Sequence, residues 1–415
     1  MQNNQFAGWP SYSDDEAKAV SNVLLSNKVN YWTGEECSLF ENEFSRWIGS
    51  NHCISLANGT VALELALRAV NIGRNDEVIV TPRSFIASVS SVINVGAKPI
   101  FADVDPVSGN LTAQTINSVI SDKTKAVILV HLAGWPCDMD PIMKLSKKYS
   151  FFVIEDCAQA HGAKYKGQHV GTIGHIGAWS FCQDKIMTTG GEGGMVATND
   201  RNLWERMWSY KDHGKSQRAI AETQNKPGFR WLHESIGSNF RMTSMQAAIG
   251  RIQINKMATW TEKRNENANF LKMSIESIDP EQKYFVVPSF RCNQNCSKKS
   301  GNRLNRCCVH ANYKFYVYLN NQNLPHSWSR DKVVDKIRNL GVPCLQGSCS
   351  EIYLEQAIKK CGAAPEKSLS TSKQLGESSL MFLVHPTLTL ENLEQTKRTL
   401  EKVFEELELD NEKSR

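Results

Sequence analysis

Lys185 stands between a short apolar run and a glycine-rich stretch, in Ser180-Phe-Cys-Gln-Asp-Lys185-Ile-Met-Thr-Thr-Gly190-Gly-Glu-Gly-Gly194. A lysine there is well placed to face a site. Near other cations or in apolar surroundings its pKa falls and it becomes a usable amine nucleophile. Upstream, Phe152-Val-Ile-Glu-Asp156 is an apolar run that ends in a carboxylate, suited to pair with a cationic heterocycle nitrogen. Asn58-Gly-Thr60 offers backbone N–H groups, a hydroxyl and the positive end of a following helix, which is a cradle for a phosphate. In Gly237-Ser-Asn-Phe-Arg-Met242, Asn239 and Arg241 have the chemistry to reach an anionic ligand. Each feature alone has an ordinary reading. Thr60 is a good N-cap, Asp156 a good turn starter, Lys185 one more surface lysine, and residues 237–242 a solvated loop.

Together they match one cofactor. A phosphate cradle, an Asp for a pyridinium nitrogen and a Lys for a Schiff base are what pyridoxal 5′-phosphate requires. Phe85 is placed either to cover the ring face or to pack in the core. A nicotinamide site is not indicated, because Gly171-Thr-Ile-Gly174-His-Ile-Gly177 lacks the Gly-x-Gly-x-x-Gly spacing.

The elements that must position these residues are β-α alternations. Strands are predicted at Cys53–Leu56, Val78–Val80, Ile100–Val104, Ala126–Val130, Phe152–Asp156, Ala178–Phe181 and Met195–Thr198. Helices are predicted at Thr60–Val70, Phe85–Val95 and Met139–Tyr149. The pattern predicts an α/β fold with a parallel-rich sheet, whose ligands sit at the carboxyl ends of the strands. A long helix follows from Thr243 to about Asn267. Residues 1–262 are expected to form a large cofactor domain and 263–415 a small α+β domain. The latter has a strand at Tyr313–Leu319, helices at Arg330–Leu340 and Leu390 to about Glu408, and a frayed end from Asp410.

Composition narrows the class. Of 415 residues, 41% are hydrophobic and 22% charged, an ordinary globular balance. A net charge of +5 is too small an excess to point to nucleic acid. No apolar run is long enough for a membrane span, and Met1 to Pro10 has no signal-peptide pattern, so a cytoplasmic enzyme is expected.

The chain resembles the DegT/DnrJ/EryC1/StrS family of sugar-nucleotide aminotransferases from about Asn30 to Thr387. The resemblance rests on Ala57-Asn-Gly-Thr60, Glu155-Asp-Cys-Ala-Gln-Ala-His-Gly162, the Ser180–Gly194 stretch, and Asn239-Phe-Arg-Met242 followed by Gln246-Ala-Ala-Ile-Gly250. It implies fold-type I, with a mostly parallel seven-stranded sheet. Lys185 would carry the internal aldimine and shuttle protons, and Asp156 would pair with the ring nitrogen. Gln159 would sit by the ring hydroxyl, Gly59, Thr60 and Ser180 would hold the phosphate, and Phe85 would stack on the ring. Asn239 would reach the phosphate from a partner subunit, making active sites at a homodimer interface. L-glutamate would convert the cofactor to pyridoxamine 5′-phosphate and leave as 2-oxoglutarate. A keto-sugar, most simply nucleotide-linked and destined for a polysaccharide or glycoside, would receive the amine. Family dehydratases carry His where Lys185 stands. Dehydration, cyclitol amination and a non-catalytic cofactor-binding regulator are the alternatives.

Trp32 and Thr33 in Tyr31-Trp-Thr-Gly34, His213 and Tyr353 resemble sugar-pocket positions, and the basic Arg230 and Arg241 have the chemistry to meet the diphosphate of a sugar nucleotide. Trp32 and Tyr353 serve equally as core aromatics, and Arg230 as a surface ion-pair partner. Four of the twelve cysteines fall in Cys292-x3-Cys296-x10-Cys307-Cys308, followed by His310. The ligand types suit zinc but the spacing is not a strong one, so no metal is assigned. An inserted exposed loop at about 291–306, with a disulfide as another outcome, is expected.

Overall fold

The computed structural model describes residues 6–223, 228–290 and 308–413. Its large sheet contains β1 (His52–Leu56), β2 (Glu77–Val80), β3 (Lys98–Phe101), β4 (Thr124–Val130), β5 (Phe152–Asp156), β8 (Ile176–Ser180) and β9 (Gly194–Thr198). A hairpin of β6 (Lys164–Tyr165) and β7 (Gln168–His169) stands apart between β5 and β8. The order is β1-β9-β8-β5-β4-β2-β3, and only β9 runs against the others. This is the mostly parallel seven-stranded sheet expected of the chain.

Alternation of side chains along each strand builds two cores, one on each face. Val127, Leu129 and Val153 face the side covered by Phe40, Phe44, Met139 and Met257. Ala126, Ile128 and Ile154 face the side covered by Leu63, Leu67, Val89 and Met207. Helices therefore lie on both faces, and the carboxyl ends of β2, β4, β5 and β8 open along one edge.

Helix Ser244–Ile278 starts with a capping box, in which Thr243 and Gln246 satisfy each other's backbone N–H. It contacts helices Glu36–Ile48 and Asp14–Leu25 of the large domain and Leu390–Lys413 of the small one. The expected boundary at residue 262 thus falls inside a helix shared by both domains. The helix also runs eleven residues past Asn267, and the C-terminal helix continues through Asp410 to Lys413 instead of fraying. The small domain holds an antiparallel sheet of β10 (Phe285–Val286), β11 (Phe315–Leu319), β12 (Cys344–Leu345) and β13 (Ser379–Phe382). Phe6, from the start of the chain, packs into that domain's core. Among the described residues no helix is long and apolar enough to cross a membrane.

Candidate functional site

Asp156 ends β5, paired with Val130 on β4 and Ala178 on β8, and is buried. Its carboxylate accepts from Ser88 Oγ at 2.8 Å and from the Ala158 N–H at 3.1 Å. Burial raises its pKa; these hydrogen bonds and the charge of Lys185 pull the other way. The neighbouring residue fixes the strand end. Glu155 accepts His131 Nε2–H at 3.0 Å and the N–H groups of Gly171, Ile173 and Gly174. Cys137 N–H donates to His131 Nδ1, so the imidazole hydrogen lies on Nε2 and both ring nitrogens are used. His131, Glu155 and Cys157 have metal-ligand types close together. Their hydrogen bonding explains the cluster without an ion.

The helix Gly59–Ala69 begins under a side-chain cap, and the capping residue is Asn58, with Thr60 inside the first turn. Asn58 Oδ1 accepts from Val61 N at 3.0 Å and its carbonyl from Ala62 N, which leaves the first N–H groups, on Gly59 and Thr60, outside the helix's own bonding. The turn is packed to backbone distance. A Cβ on Gly59 would lie 2.5 Å from Ser180 Cβ, and one on Gly194 would lie 2.3 Å from the Asn58 carbonyl oxygen. Ser180 therefore sits directly beside the open helix start, which is the arrangement a phosphate group needs.

Lys185 follows β8, and its side chain is mostly covered. Asp184 Oδ1 lies 3.5 Å from Lys185 Nζ. The hydroxyl of Tyr313, from the small domain, donates to Asp184 Oδ2. The same tyrosine's ring centroid is 5.2 Å from Lys185 Nζ. Trp9 Nε1–H donates to the Lys185 carbonyl at 2.7 Å, which brings the start of the chain to the site. Trp9 in turn lies under the buried Arg264, at 4.9 Å from ring centroid to guanidinium carbon. His161 is buried, and among the described residues neither ring nitrogen has a hydrogen-bond partner. Burial, then the charges of Lys185 and Arg264, push its pKa down to about 3. It is a neutral imidazole at any ordinary pH.

Phe85 precedes helix Ala87–Asn94 and is 67% exposed, so its ring is free to cover a flat ligand rather than filling the core. Gln159 is buried and accepts the Ala133 N–H at 2.7 Å. Asn239 is exposed, and among the described residues its Oδ1 accepts only the nearby Arg241 N–H, at 3.4 Å. A buried carboxylate, a covered lysine, an open helix start with a serine beside it and an exposed aromatic ring fit pyridoxal 5′-phosphate.

The substrate residues divide. Trp32 is half-exposed and donates Nε1–H to Asp212 Oδ2 at 2.7 Å, with Lys215 Nζ 4.1 Å from its ring centroid. Thr33 is exposed, bonded back to Asn30. His213 is exposed at φ +59° and Arg230 is exposed on the following loop. Tyr353 is different. It is 2% exposed, packs edge-on against Phe101 and bonds Glu351, so it is a core aromatic and does not join the others. Arg241 is committed to Asp212 at 2.7 Å, which satisfies its charge within the chain.

Ser88, His161, Asp184, Arg264, Tyr313 and Trp9 were not singled out from sequence. Asp184 and His161 lie inside the quoted motifs and had that signal; Tyr313, Arg264 and Trp9 had none, since only folding brings them near. Cys53 and Cys157 are buried free thiols, and burial pushes both up to about 12. Cys292, Cys296 and Cys307, and with them the zinc question, lie outside the described residues. Cys308 is disulfide-bonded. His310 is half-buried against Trp135 and Phe290, with Nδ1 accepting the Asn312 N–H.

Comparison with known proteins agrees with this geometry. The chain is 40% identical over 273 residues to GDP-perosamine synthase of Escherichia coli O157:H7, covering 65% of this chain and 71% of the relative. It is 39% identical over 266 residues to a UDP-N-acetyl-3-dehydro-alpha-D-glucosamine 3-aminotransferase of Acidithiobacillus ferrooxidans, covering 64% and 68%. The crystal structure of an aminotransferase from Psychrobacter cryohalolentis superposes with a TM-score of 0.92 at 56% identity, covering 97% of this chain and all of that one. 3-Amino-5-hydroxybenzoic acid synthase superposes with a TM-score of 0.82 at 25% identity, covering 97% and 99%. The family model matches residues 10–401, and the chain belongs to the DegT/DnrJ/EryC1/StrS aminotransferase family.

Proposed function

We propose that this protein transfers an amino group from L-glutamate to a nucleotide-linked keto-sugar, in the biosynthesis of a polysaccharide or glycoside. The observation that carries the proposal is the single bed formed by Asp156, Lys185 and the Gly59–Thr60 helix start. The names of the relatives, a perosamine synthase and a 3-amino-sugar aminotransferase, support the substrate class.

Pyridoxal 5′-phosphate, when bound, supplies an electron sink and a temporary carrier for the amine. The chain's own residues do the rest. The Gly59 and Thr60 N–H groups and the Ser180 hydroxyl bind the phosphate. Asp156 keeps a proton on the ring nitrogen, which also relieves the cost of its own burial. Gln159 sits by the ring hydroxyl and Phe85 covers the ring face. Lys185 Nζ holds the cofactor at rest and moves a proton as general base and acid once released. Asp184, held by Tyr313, orients that nitrogen. Trp32, Thr33, His213 and Arg230 are the residues proposed to meet the sugar nucleotide.

Asn239 is proposed to serve the phosphate of a second copy of the chain. Phe229, Trp231 and Ile236, on the loop just before it, are 89%, 83% and 91% exposed. An apolar cluster of that kind calls for a partner, and a homodimer provides one. We place the enzyme in the cytoplasm on the biosynthetic role that its relatives' names carry; the disulfide at Cys308 is a feature that a reducing compartment would oppose.

The test is the loaded enzyme with L-glutamate and a panel of keto-sugar nucleotides. Lys185→Ala is expected to lose the absorbance of the protein–cofactor adduct and to lower turnover at least about a hundredfold. Full activity in that variant overturns the proposal.

A further inference from the structure

Lys314 lies between Tyr313 and strand β11. Its side chain lines a cavity of about 730 Å³ shared with Ser108, Tyr316 and Tyr318. Lys185 and Asp156 do not line that cavity, which approaches the cofactor bed at Ala133, the residue bonded to Gln159. The Lys314 ammonium lies 4.9 Å from the Tyr313 ring centroid and, among the described residues, has no hydrogen bond or ion pair. The groups around it leave an excess of positive charge. Arg264 adds a second positive charge, and the facing carboxylate, Asp184, is already engaged by Lys185 and the Tyr313 hydroxyl. Burial, with Arg264 and Lys185, lowers Lys314 to about 8 against the pull of Asp184, so it is still charged at neutral pH. A half-buried cation without a counter-ion, facing a cavity, is a receptor for an anion.

The geometry points to Lys314 as the residue that binds a carboxylate of the amino donor, a dicarboxylic amino acid or its 2-oxo acid. This rests on the aminotransfer proposed above. The donor is favoured over the nucleotide because Lys314 and Lys185 flank one tyrosine ring, at 4.9 and 5.2 Å. The two lysine nitrogens are therefore at most about 10 Å apart, a span that a short dicarboxylate hydrogen-bonded at its far end can bridge. A dicarboxylic amino acid carries its charges that close; a nucleotide diphosphate is held away from a keto carbon by the sugar ring.

The experiment uses the cofactor-loaded enzyme and glutarate, which has both carboxylates and no amine. Lys314→Met is expected to weaken glutarate binding in calorimetry about tenfold or more, the loss of a charge-assisted hydrogen bond. It is also expected to raise KM for L-glutamate by a similar factor, with KM for the keto-sugar nucleotide little changed. Lys314→Arg keeps the charge and is expected to retain most of the glutarate affinity, which separates a lost contact from a misfolded variant. Unchanged glutarate binding in Lys314→Met overturns the inference, as does a rise in KM for the sugar nucleotide in place of glutamate. If the parent enzyme aminates no keto-sugar, the proposed function fails on its own, and glutarate binding still decides for Lys314.

Discussion

Ser88 donates its hydroxyl to Asp156 Oδ2 at 2.8 Å, and both residues are buried. A buried carboxylate with few donors is costly, and removing one leaves that cost uncovered. Ser88→Ala is therefore expected to destabilise the cofactor-free protein by about 1–3 kcal/mol in urea unfolding. It should also raise the pKa of Asp156 further, because this hydrogen bond favours the ionised form. Added cofactor should recover part of the stability, since the ring cation proposed to lie beside Asp156 would replace the missing support. A variant as stable as the parent would show that the Ser88 hydrogen bond offsets none of the cost of burying Asp156. Lys185, Asp156 and the glycine turn were legible in sequence because their types and order are chemically unusual. The serine was not, since nothing in a helix-start Ser announces a carboxylate 68 residues away.

The helix start at Asn58 and strand β9 hold the cradle as one unit. Gly194 opens β9, paired with Leu56 and Ser180, and its backbone lies against Asn58. A methyl group there would have to displace backbone, which cannot shift cheaply. Gly194→Ala is expected to weaken pyridoxal 5′-phosphate binding about tenfold or more in a titration of the cofactor-free protein, and to cost about 1–3 kcal/mol of stability. Parent-like affinity would mean that the cradle is not set by this packing. The buried strands of the large sheet were readable as apolar runs bounded by turns. Helix Ser244–Ile278 was cut short because it buries residues against two domains in turn, which blurs a single apolar stripe. Helices Asp14–Leu25 and Glu36–Ile48 were not singled out, although Ser13 and Glu16 form a capping box.

Across the whole molecule, burial holds His161, His310 and His385 down, each to about 3. In the unfolded chain histidines titrate near 6.5. Below that pH the unfolded chain takes up protons that the folded chain refuses. Stability is thus full above about pH 6.5 and is lost as pH falls toward 3, by about 1.4 kcal/mol per pH unit for each such histidine. Thermal unfolding from about pH 7.5 to about pH 4.5 is expected to show a steadily falling midpoint, and His161→Phe should make the fall shallower. An equally steep fall in that variant would mean that His161 gains its proton without unfolding. The sequence by itself determined the β-α alternation and the order of the residues proposed to hold the cofactor, because these are set by residue chemistry and by neighbours along the chain. Only the tertiary structure decided which distant groups serve them. Tyr313 reaches Asp184 across 129 positions, and Trp9 reaches Lys185 across 176. It also decided that Tyr353 packs in the core while Phe85 stays exposed. Such pairings depend on how two domains and the start of the chain close over one sheet edge, and no local pattern carries that information.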